Sequence, residues 1–163
     1  MDKPWQRLTV KTAFDRFASV SLEKALSDDI FDEVMTEEIE PFIGKHTPVF
    51  LYDYPAQRAA LARLKADDPR YGERFELYIG GMEICNAFSE LVNAKEQRQR
   101  FVSEADFRRR LNKTVYPFPN KFLKMLPDMP ASSGNALGLD RLVMLFADVT
   151  VIDEVTAFVP EDL

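Results

Sequence analysis

The residues best suited to chemistry lie in the run from Ser133 to Arg141, where two glycines precede an arginine. Gly134 and Gly138 leave an apolar stretch without Cβ atoms, which allows either unusual backbone angles or the close approach of a flat ligand. The spacing of apolar residues after Gly138 predicts a strand-to-helix joint, with Arg141 in the first helical turn. A guanidinium there can stack on a base and reach phosphate oxygens, which indicates a nucleotide site. A Gly-rich strand packed on a helix, with a local Asp140–Arg141 ion pair, is the alternative, and spacing alone slightly favours it.

A pair of carboxylates flanks Gly80-Gly81, which has the composition of a two-residue hairpin turn between two predicted strands. In the register set by that turn, Glu76 and Glu83 are diagonal neighbours on one face, about 7 Å apart or less. They could hold Mg²⁺, which takes a few carboxylate oxygens together with a polyphosphate. Alternatively, Arg74 on the same face neutralises them in an ordinary surface ion pair. The spacing leaves both interpretations open.

Two further polar residues follow on the second strand of this hairpin. Strict alternation places Asn86 and Glu90 on the face opposite Glu83. A β-bulge near Ile84-Cys85 would bring them round. One pocket would then contain an amide, three carboxylates and glycine-lined backbone, suited to a small ligand with an ammonium at one end. Without the bulge, we expect Asn86 to be a turn residue and Glu90 a solvated charge.

Composition narrows the function classes. A chain of 163 residues, 46% of them hydrophobic, predicts one compact domain. A net charge of -6 argues against a surface that follows a nucleic-acid backbone. The single Cys85 and single His46 exclude an intramolecular disulfide and a Cys/His zinc cluster, which fits a reducing cytoplasm. Because no apolar stretch approaches the length of a membrane span, we expect no membrane partner.

The elements that must position these residues form a helical front, from Thr9 to Gly44, and a back made mostly of strands. Helical spacing runs from Thr9 to Ala18, and Ser21 or Ser27 can cap the helices that follow, the second of which ends at Gly44. The remaining predicted elements are strands at 49–54, 74–79 and 82–88 and helices at 94–111 and 121–126. We find no repeat and no linker, so the chain reads as one folding unit.

Sequence motifs that resemble those of a known family choose between the alternatives that residue spacing leaves open. The segment from Gly134 to Arg141 resembles motif 3 of the class II aminoacyl-tRNA synthetases, and the segment from Arg74 to Phe101 resembles their lysine-specific branch. Within that branch the chain is most similar to the elongation factor P beta-lysine ligases, which lack the anticodon-binding domain. Ala136 is ligase-like, since the synthetases resemble one another in having glycine there, whereas Ser89 departs from the histidine of many ligases. The resemblance covers residues from about Trp5 to Phe158.

The resemblance implies an α+β fold, a partial class II synthetase fold with an antiparallel sheet flanked by helices. It implies attack of a lysine or β-lysine carboxylate on the α-phosphate of ATP, with Mg²⁺, and elongation factor P as a possible acceptor. Direct tRNA binding is not expected. The implied site residues are Arg141 as catalytic residue, Arg141, Gly138 and Glu83 for ATP, Glu76 and Glu83 for the metal, and Asn86, Glu90, Gly134 and Ala136 for the amino acid.

Two motifs of the family have no counterpart here: motif 1, the dimer-forming helix and strand, and motif 2, whose arginine grips the α-phosphate. We therefore expect residues 1–163 to be a single domain, the C-terminal part of a ligase domain, from a split gene, a truncated gene or a longer protein. Alone it should be a poor enzyme. A companion chain supplying both motifs, or self-association, would cover the open sheet edge. A non-catalytic module that binds an amino acid or docks on a partner is the alternative, and the absent anticodon domain disfavours an intact lysyl-tRNA synthetase.

Overall fold

The computed structural model describes residues 4–59 and 61–159. Within these residues, five strands form one sheet in the order β1-β2-β3-β4-β5. They are β1 (Gln6–Thr9), β2 (Val49–Pro55), β3 (Tyr71–Ile79), β4 (Met82–Ser89) and β5 (Ser133–Leu137). The α+β class is confirmed with one difference: β1 and β2 pair in parallel, with Gln6 opposite Val49. The sheet is mixed because a helical crossover, rather than a hairpin, joins these two strands.

In the described part of the chain, six α-helices accompany the sheet: α1 (Val10–Phe17), α2 (Leu22–Ser27), α3 (Phe31–Val34), α4 (Ala94–Arg110), α5 (Asn120–Met125) and α6 (Leu139–Ala147). The Thr9 hydroxyl accepts a hydrogen bond from the Thr12 amide at 3.0 Å and caps α1. Ser21 caps α2 in the same way, through the Lys24 amide at 3.2 Å, whereas Ser27 ends that helix. Side-chain oxygens at these positions satisfy amides that have no partner within the helix.

The helix expected to end at Gly44 is broken into three parts. After α3 the backbone widens into a π turn at Met35–Ile39 and then tightens into a 3₁₀ turn at Glu40–Phe42. Pro41 lies in the last turn, and proline cannot donate the hydrogen bond that would continue a regular α-helix. The chain then turns at Gly44, whose φ is +74°.

The chain divides into two compact units. Unit 1 comprises Met1–Tyr54, Arg74–Ala87 and Asn135–Leu163, and unit 2 comprises Pro55–Glu73 and Phe88–Gly134. The single domain over residues 1–163 stays a prediction. Within the described residues, none of the helices is at once long and apolar enough to cross a membrane.

The core of unit 1 joins the helical front to the sheet. Phe14 of α1 stacks on Phe31 of α3, with 5.3 Å between ring centroids. Ile39 and Leu51 are completely buried beside them, and Tyr78 of β3 is 1% exposed in the same cluster. Burying a large apolar side chain contributes about 1.5–3 kcal/mol, so this cluster holds β2 and β3 firmly. Glu76 of the candidate site lies on β3.

In unit 2, aromatic contacts join α4 to the segment that follows it. Asn93 caps this helix, its side-chain oxygen accepting from the amides of Lys95 and Glu96 at 3.1 Å each. Phe101 packs against Phe118 and Phe122, with ring centroids 6.3 and 6.1 Å away. These aromatic contacts hold α5 and the proline-rich segment before it against α4.

Candidate functional site

A tight hairpin places the two predicted carboxylates. Gly80 and Gly81 have φ values of +63° and +81°, the pair of positive angles that a type I′ turn requires. The Gly80 amide donates to the Gly44 carbonyl at 2.8 Å, which ties the hairpin to the end of the helical front. The sequence prediction of a two-residue turn is confirmed. Glu76 therefore lies on β3 and Glu83 on β4, on either side of one chain reversal.

Glu76 is the centre of a buried hydrogen-bond network. Its Oε1 accepts from Arg74 Nη2 at 2.7 Å and from Asn86 Nδ2 at 3.0 Å. Its Oε2 accepts from the Tyr78 hydroxyl at 2.9 Å and from the Tyr54 hydroxyl. Glu76 is only 6% exposed. A carboxylate has about four lone-pair sites, so these four donors satisfy it completely, as a buried charge requires.

The two phenols are held in the protonated form that this network needs. Burial raises the pKa of Tyr54 well above its ordinary value, and the negative charge of Glu76 raises it further. Burial also raises the pKa of Tyr78, with smaller contributions from Glu76 and Glu40. Glu40 is a second acceptor for the Tyr78 hydroxyl at 3.3 Å, and burial raises its own pKa. Both phenols therefore remain donors at neutral pH.

Asn86 lies beside Glu76, where strict alternation along the strand would not place it. Besides its bond to Glu76, its Oδ1 accepts from Arg74 Nε at 3.2 Å. Ile84 and Cys85, the residues between Glu83 and Asn86, are both buried, at 2% and 5% exposure. These two residues are the place where a bulge was expected, and the bulge stays a prediction. The Arg74–Glu76 ion pair is largely buried, with side chains 16% and 8% exposed, and so differs from the expected surface pair.

Arg141 occupies the predicted strand-to-helix joint. Gly138 caps α6 with an ordinary φ of -74°, and its amide donates to the Ile84 carbonyl at 2.9 Å. Arg141 Nη1 donates to the Glu83 carbonyl at 2.8 Å and lies 3.5 Å from the Glu83 carboxylate. The guanidinium thus pairs with Glu83 rather than with Asp140. These side chains are 48% and 35% exposed, so the pair contributes at most about 1 kcal/mol and can be given up to a ligand.

The remaining predicted residues divide between the units. Within unit 2, a Cβ added at Gly134 would overlap the Glu90 carboxylate, so the absence of a side chain there makes room for Glu90. The Glu90 amide donates to the Ser132 carbonyl at 2.9 Å. Within unit 1, Ala136 is exposed on β5. Glu76, Glu83, Asn86 and Arg141 are the predicted site residues that unit 1 brings together.

The two carboxylates differ in their capacity for a metal ion. Nowhere in residues 4–59 and 61–159 do three or more His, Cys, Asp or Glu side chains form a metal-binding group. Glu76 would have to exchange hydrogen bonds for a direct metal bond. Glu83 has only a weak arginine contact, and Mg²⁺ can be held by one or two carboxylates together with substrate phosphates. Glu83 therefore fits a magnesium ion that arrives with a polyphosphate, and the metal role of Glu76 stays a prediction.

Sequence reasoning missed most of the network around Glu76. Tyr78 is two residues along the same strand, so alternation alone puts it on the Glu76 face. Tyr54 and Glu40 come from distant segments and have no local signal. Both tyrosines look like ordinary strand residues until the fold closes.

Comparison with known proteins gives a family. The family model of tRNA synthetases class II (D, K and N) matches residues 1–162. A curated relative in Buchnera aphidicola subsp. Acyrthosiphon pisum (strain Tuc7), called "Elongation factor P--(R)-beta-lysine ligase", is 44% identical over 126 residues, 77% of this chain and 39% of the relative. Relatives of the same name in Vibrio vulnificus (strain YJ016) and Edwardsiella ictaluri (strain 93-146) are 41% and 46% identical, over 80% and 74% of this chain and 41% and 37% of theirs. The chain spans about two fifths of the length of these relatives.

Proposed function

The chain belongs to the class II tRNA synthetase family (D, K and N), and on this basis we propose that it carries part of an adenylate-forming ligase site. Its substrates would be ATP, with Mg²⁺, and lysine or β-lysine, and its acceptor elongation factor P, after which the relatives are named. The chemistry is attack of the amino-acid carboxylate on the α-phosphate of ATP, which gives an aminoacyl-adenylate and pyrophosphate. The free, buried thiol of Cys85 supports a reducing compartment, the cytoplasm.

The observation that carries the proposal is the contact of Arg141 with Glu83 on β4. Its guanidinium is fixed at one end by the Glu83 carbonyl and is half-exposed at the other. A planar cation held this way can stack on adenine and reach phosphate oxygens. Gly138 keeps the joint free of a side chain, and Glu83 supplies the negative charge that would hold Mg²⁺ against those phosphates.

The amino acid would be held by a different set of residues. Asn86 would orient its head group, and the bonds from Arg74 and to Glu76 fix which way the Asn86 amide points. Glu90 would pair with the side-chain ammonium, and Gly134 and Ala136 would form the pocket wall. A methyl group at position 136 reshapes that wall in favour of a β-amino acid. Positioning and charge neutralisation would carry the reaction, without a covalent enzyme intermediate.

We propose that the site described here is nearly inactive until an arginine of the motif 2 type completes it. The residues identified here do not include a motif 2 arginine for the α-phosphate. The open end of the sheet supports a missing neighbour: β5 is the last strand, and Leu137, Leu139, Val143 and Phe146 are 43–86% exposed on β5 and α6. An apolar surface of this kind beside a sheet edge is typical of an interface. A companion chain or a second copy would cover it.

Thermal-shift measurements test the proposal. We expect MgATP to raise the unfolding midpoint of the wild-type chain, because a ligand at 100 times its Kd stabilises the folded state by about 2.7 kcal/mol. Arg141→Ala should remove that shift. Arg109→Ala, a change at an exposed arginine paired with Asp106 in unit 2, is the matched control and should retain it. A wild-type shift that Arg141→Ala leaves unchanged would refute the assignment.

A second candidate function is a non-catalytic module that binds lysine or a related amino acid, or docks on a partner. It is favoured by the closed hydrogen-bond network of Glu76, which needs no nucleotide to be complete. Stabilisation by lysine or β-lysine, with no response to MgATP, would favour this alternative over the ligase.

A further inference from the structure

The net charge of -6 conceals a strong separation between the two units. Unit 2 contains 13 lysines and arginines against 8 aspartates and glutamates, a net charge of +5. The rest of the chain contains 8 basic and 19 acidic residues, a net charge of -11. Charge of one sign on one unit attracts an oppositely charged partner to that unit and repels it from the other.

Unit 2 contains a cavity lined by positively charged side chains. A cavity of about 430 Å³ lies between α4 and α5. Its lining consists of Ala94, Lys95, Arg98, Asn120, Leu123 and Lys124. This volume is in the range of small-ligand sites and has room for more than one carboxylate side chain. Three cations and one amide line it, and Leu123 is buried beneath them.

The three cations differ in their existing contacts: Arg98 Nη2 donates to Asn120 Oδ1 at 3.4 Å, an uncharged partner. Within the described residues, none of Lys95, Arg98 and Lys124 has a carboxylate partner within 4 Å, and all three are exposed. Glu96, the acid nearest to them along α4, is already paired with Arg100 at 2.5 Å. The cavity also lies at the first turn of a 17-residue helix, whose positive end adds to the attraction of an anion.

The arginine run at the other end of α4 is different. Arg108 lies 3.9 Å from Glu104 and Arg109 pairs with Asp106, so acids of the same helix already neutralise two of its charges. Charge that is satisfied within a helix attracts a partner weakly. We therefore expect the cavity, rather than the arginine run, to attract an anionic partner to unit 2.

We infer that this cavity binds the carboxylates of an acidic segment on a protein partner. Arg98 lies over the Phe118 ring at 5.0 Å, so that ring face is covered and does not offer a base the stacking surface typical of single-stranded nucleic-acid sites. The choice of a protein rests on the proposed function, in which the acceptor is a protein.

The test uses the full chain and a fluorescein-labelled hexaglutamate peptide, with binding followed by fluorescence anisotropy at low and at physiological salt. We expect saturable binding that Lys95→Glu weakens about tenfold, since like charges at a docking site repel the ligand. Glutamate in the first helical turn favours the helix, so this variant should stay folded, which circular dichroism checks. Lys113→Glu changes the net charge equally, away from the cavity, and should weaken binding less than about twofold.

Three results would overturn the inference: no saturable binding of the peptide, equal effects of Lys95→Glu and Lys113→Glu, or tighter binding of a single-stranded oligothymidylate that depends on Lys95. The last would make the cavity a nucleic-acid site. Peptide binding needs neither ATP nor catalysis. A chain that responds to MgATP and ignores the peptide would therefore refute only this inference, and the reverse result would refute only the proposed ligase site.

Discussion

Glu76→Gln is the substitution that most sharply separates a buried structural charge from a surface carboxylate. The glutamine has the same shape, but it replaces the negative charge with an amide, one end of which is itself a donor. Whichever oxygen becomes the NH₂ group faces two donors: Arg74 and Asn86 on one side, or Tyr54 and Tyr78 on the other. With the NH₂ group toward Arg74 and Asn86, two of the four bonds are lost, whereas toward the phenols both hydroxyls must turn to accept instead of donate. In either orientation the largely buried Arg74 loses the negative charge of Glu76.

The expected magnitude follows from these contacts. A hydrogen bond to a charged group contributes about 1.5–3 kcal/mol, so the loss of the bonds from Arg74 and Asn86 costs about 3–6 kcal/mol. Removing one partner of a buried ion pair gives a similar range, about 3–5 kcal/mol. Little of this is lost to solvent screening, because the side chains of the pair are only 16% and 8% exposed. A loss of this size is a large part of the stability of an ordinary domain.

Urea unfolding followed by far-ultraviolet circular dichroism measures this loss. The matched control is Glu73→Gln on the same strand, whose carboxylate pairs with Arg63 at 2.6 Å with side chains 28% and 51% exposed. We expect the control to cost about 0.2–1 kcal/mol, as exposed pairs do. The reasoning fails if Glu76→Gln costs less than about 1 kcal/mol or no more than Glu73→Gln.

Three further predictions concern other buried groups. Because burial raises the pKa of Tyr54 and Tyr78, the stabilisation they contribute should be complete below about pH 10. Above that pH, the free energy of unfolding should fall by about 1.4 kcal/mol per pH unit for each phenol. Tyr78→Phe should reduce that slope in urea titrations, and an unchanged slope would contradict the direction of the pKa shift. Gly44→Ala should destabilise the chain by at least about 1 kcal/mol more than Gly81→Ala in the same assay. Both glycines have positive φ, but of the two only Gly44 would place a Cβ 2.8 Å from a backbone atom. Equal losses of stability would refute this overlap. Burial also raises the pKa of the Cys85 thiol, so a disulfide reagent should label it only after unfolding, whereas fast labelling of the folded chain would show an accessible thiol.

Local sequence signals predicted the frame of the site. Gly80-Gly81 determined a two-residue turn, because few other residues tolerate two consecutive positive φ values. The change from glycine-rich strand to helical spacing located Arg141 at a joint, where the structure has it. Both features depend on neighbours in the chain, which is why one sequence was enough.

Contacts between segments that are distant along the chain could not be predicted from the sequence. Tyr54, a partner of Glu76, comes from β2, and Glu40, a partner of Tyr78, comes from the broken helix. The spacing of residues along β3 could therefore not reveal either contact. The side of the strand on which Asn86 lies depended on a break in alternation that sequence allowed but did not require. The charge separation was hidden for another reason: the segments of unit 2 are apart in sequence, and a net charge sums over both units.

The most direct test of the central claim is isothermal titration of the full chain with MgATP. A remnant adenylate-forming site predicts binding, even if weak, at about one site per chain, and predicts that Arg141→Ala abolishes it while Arg109→Ala does not. Complete absence of heat from the wild-type chain, or equal binding by the Arg141→Ala variant, would contradict the claim that Arg141 and its seat on Glu83 form the nucleotide end of a ligase site.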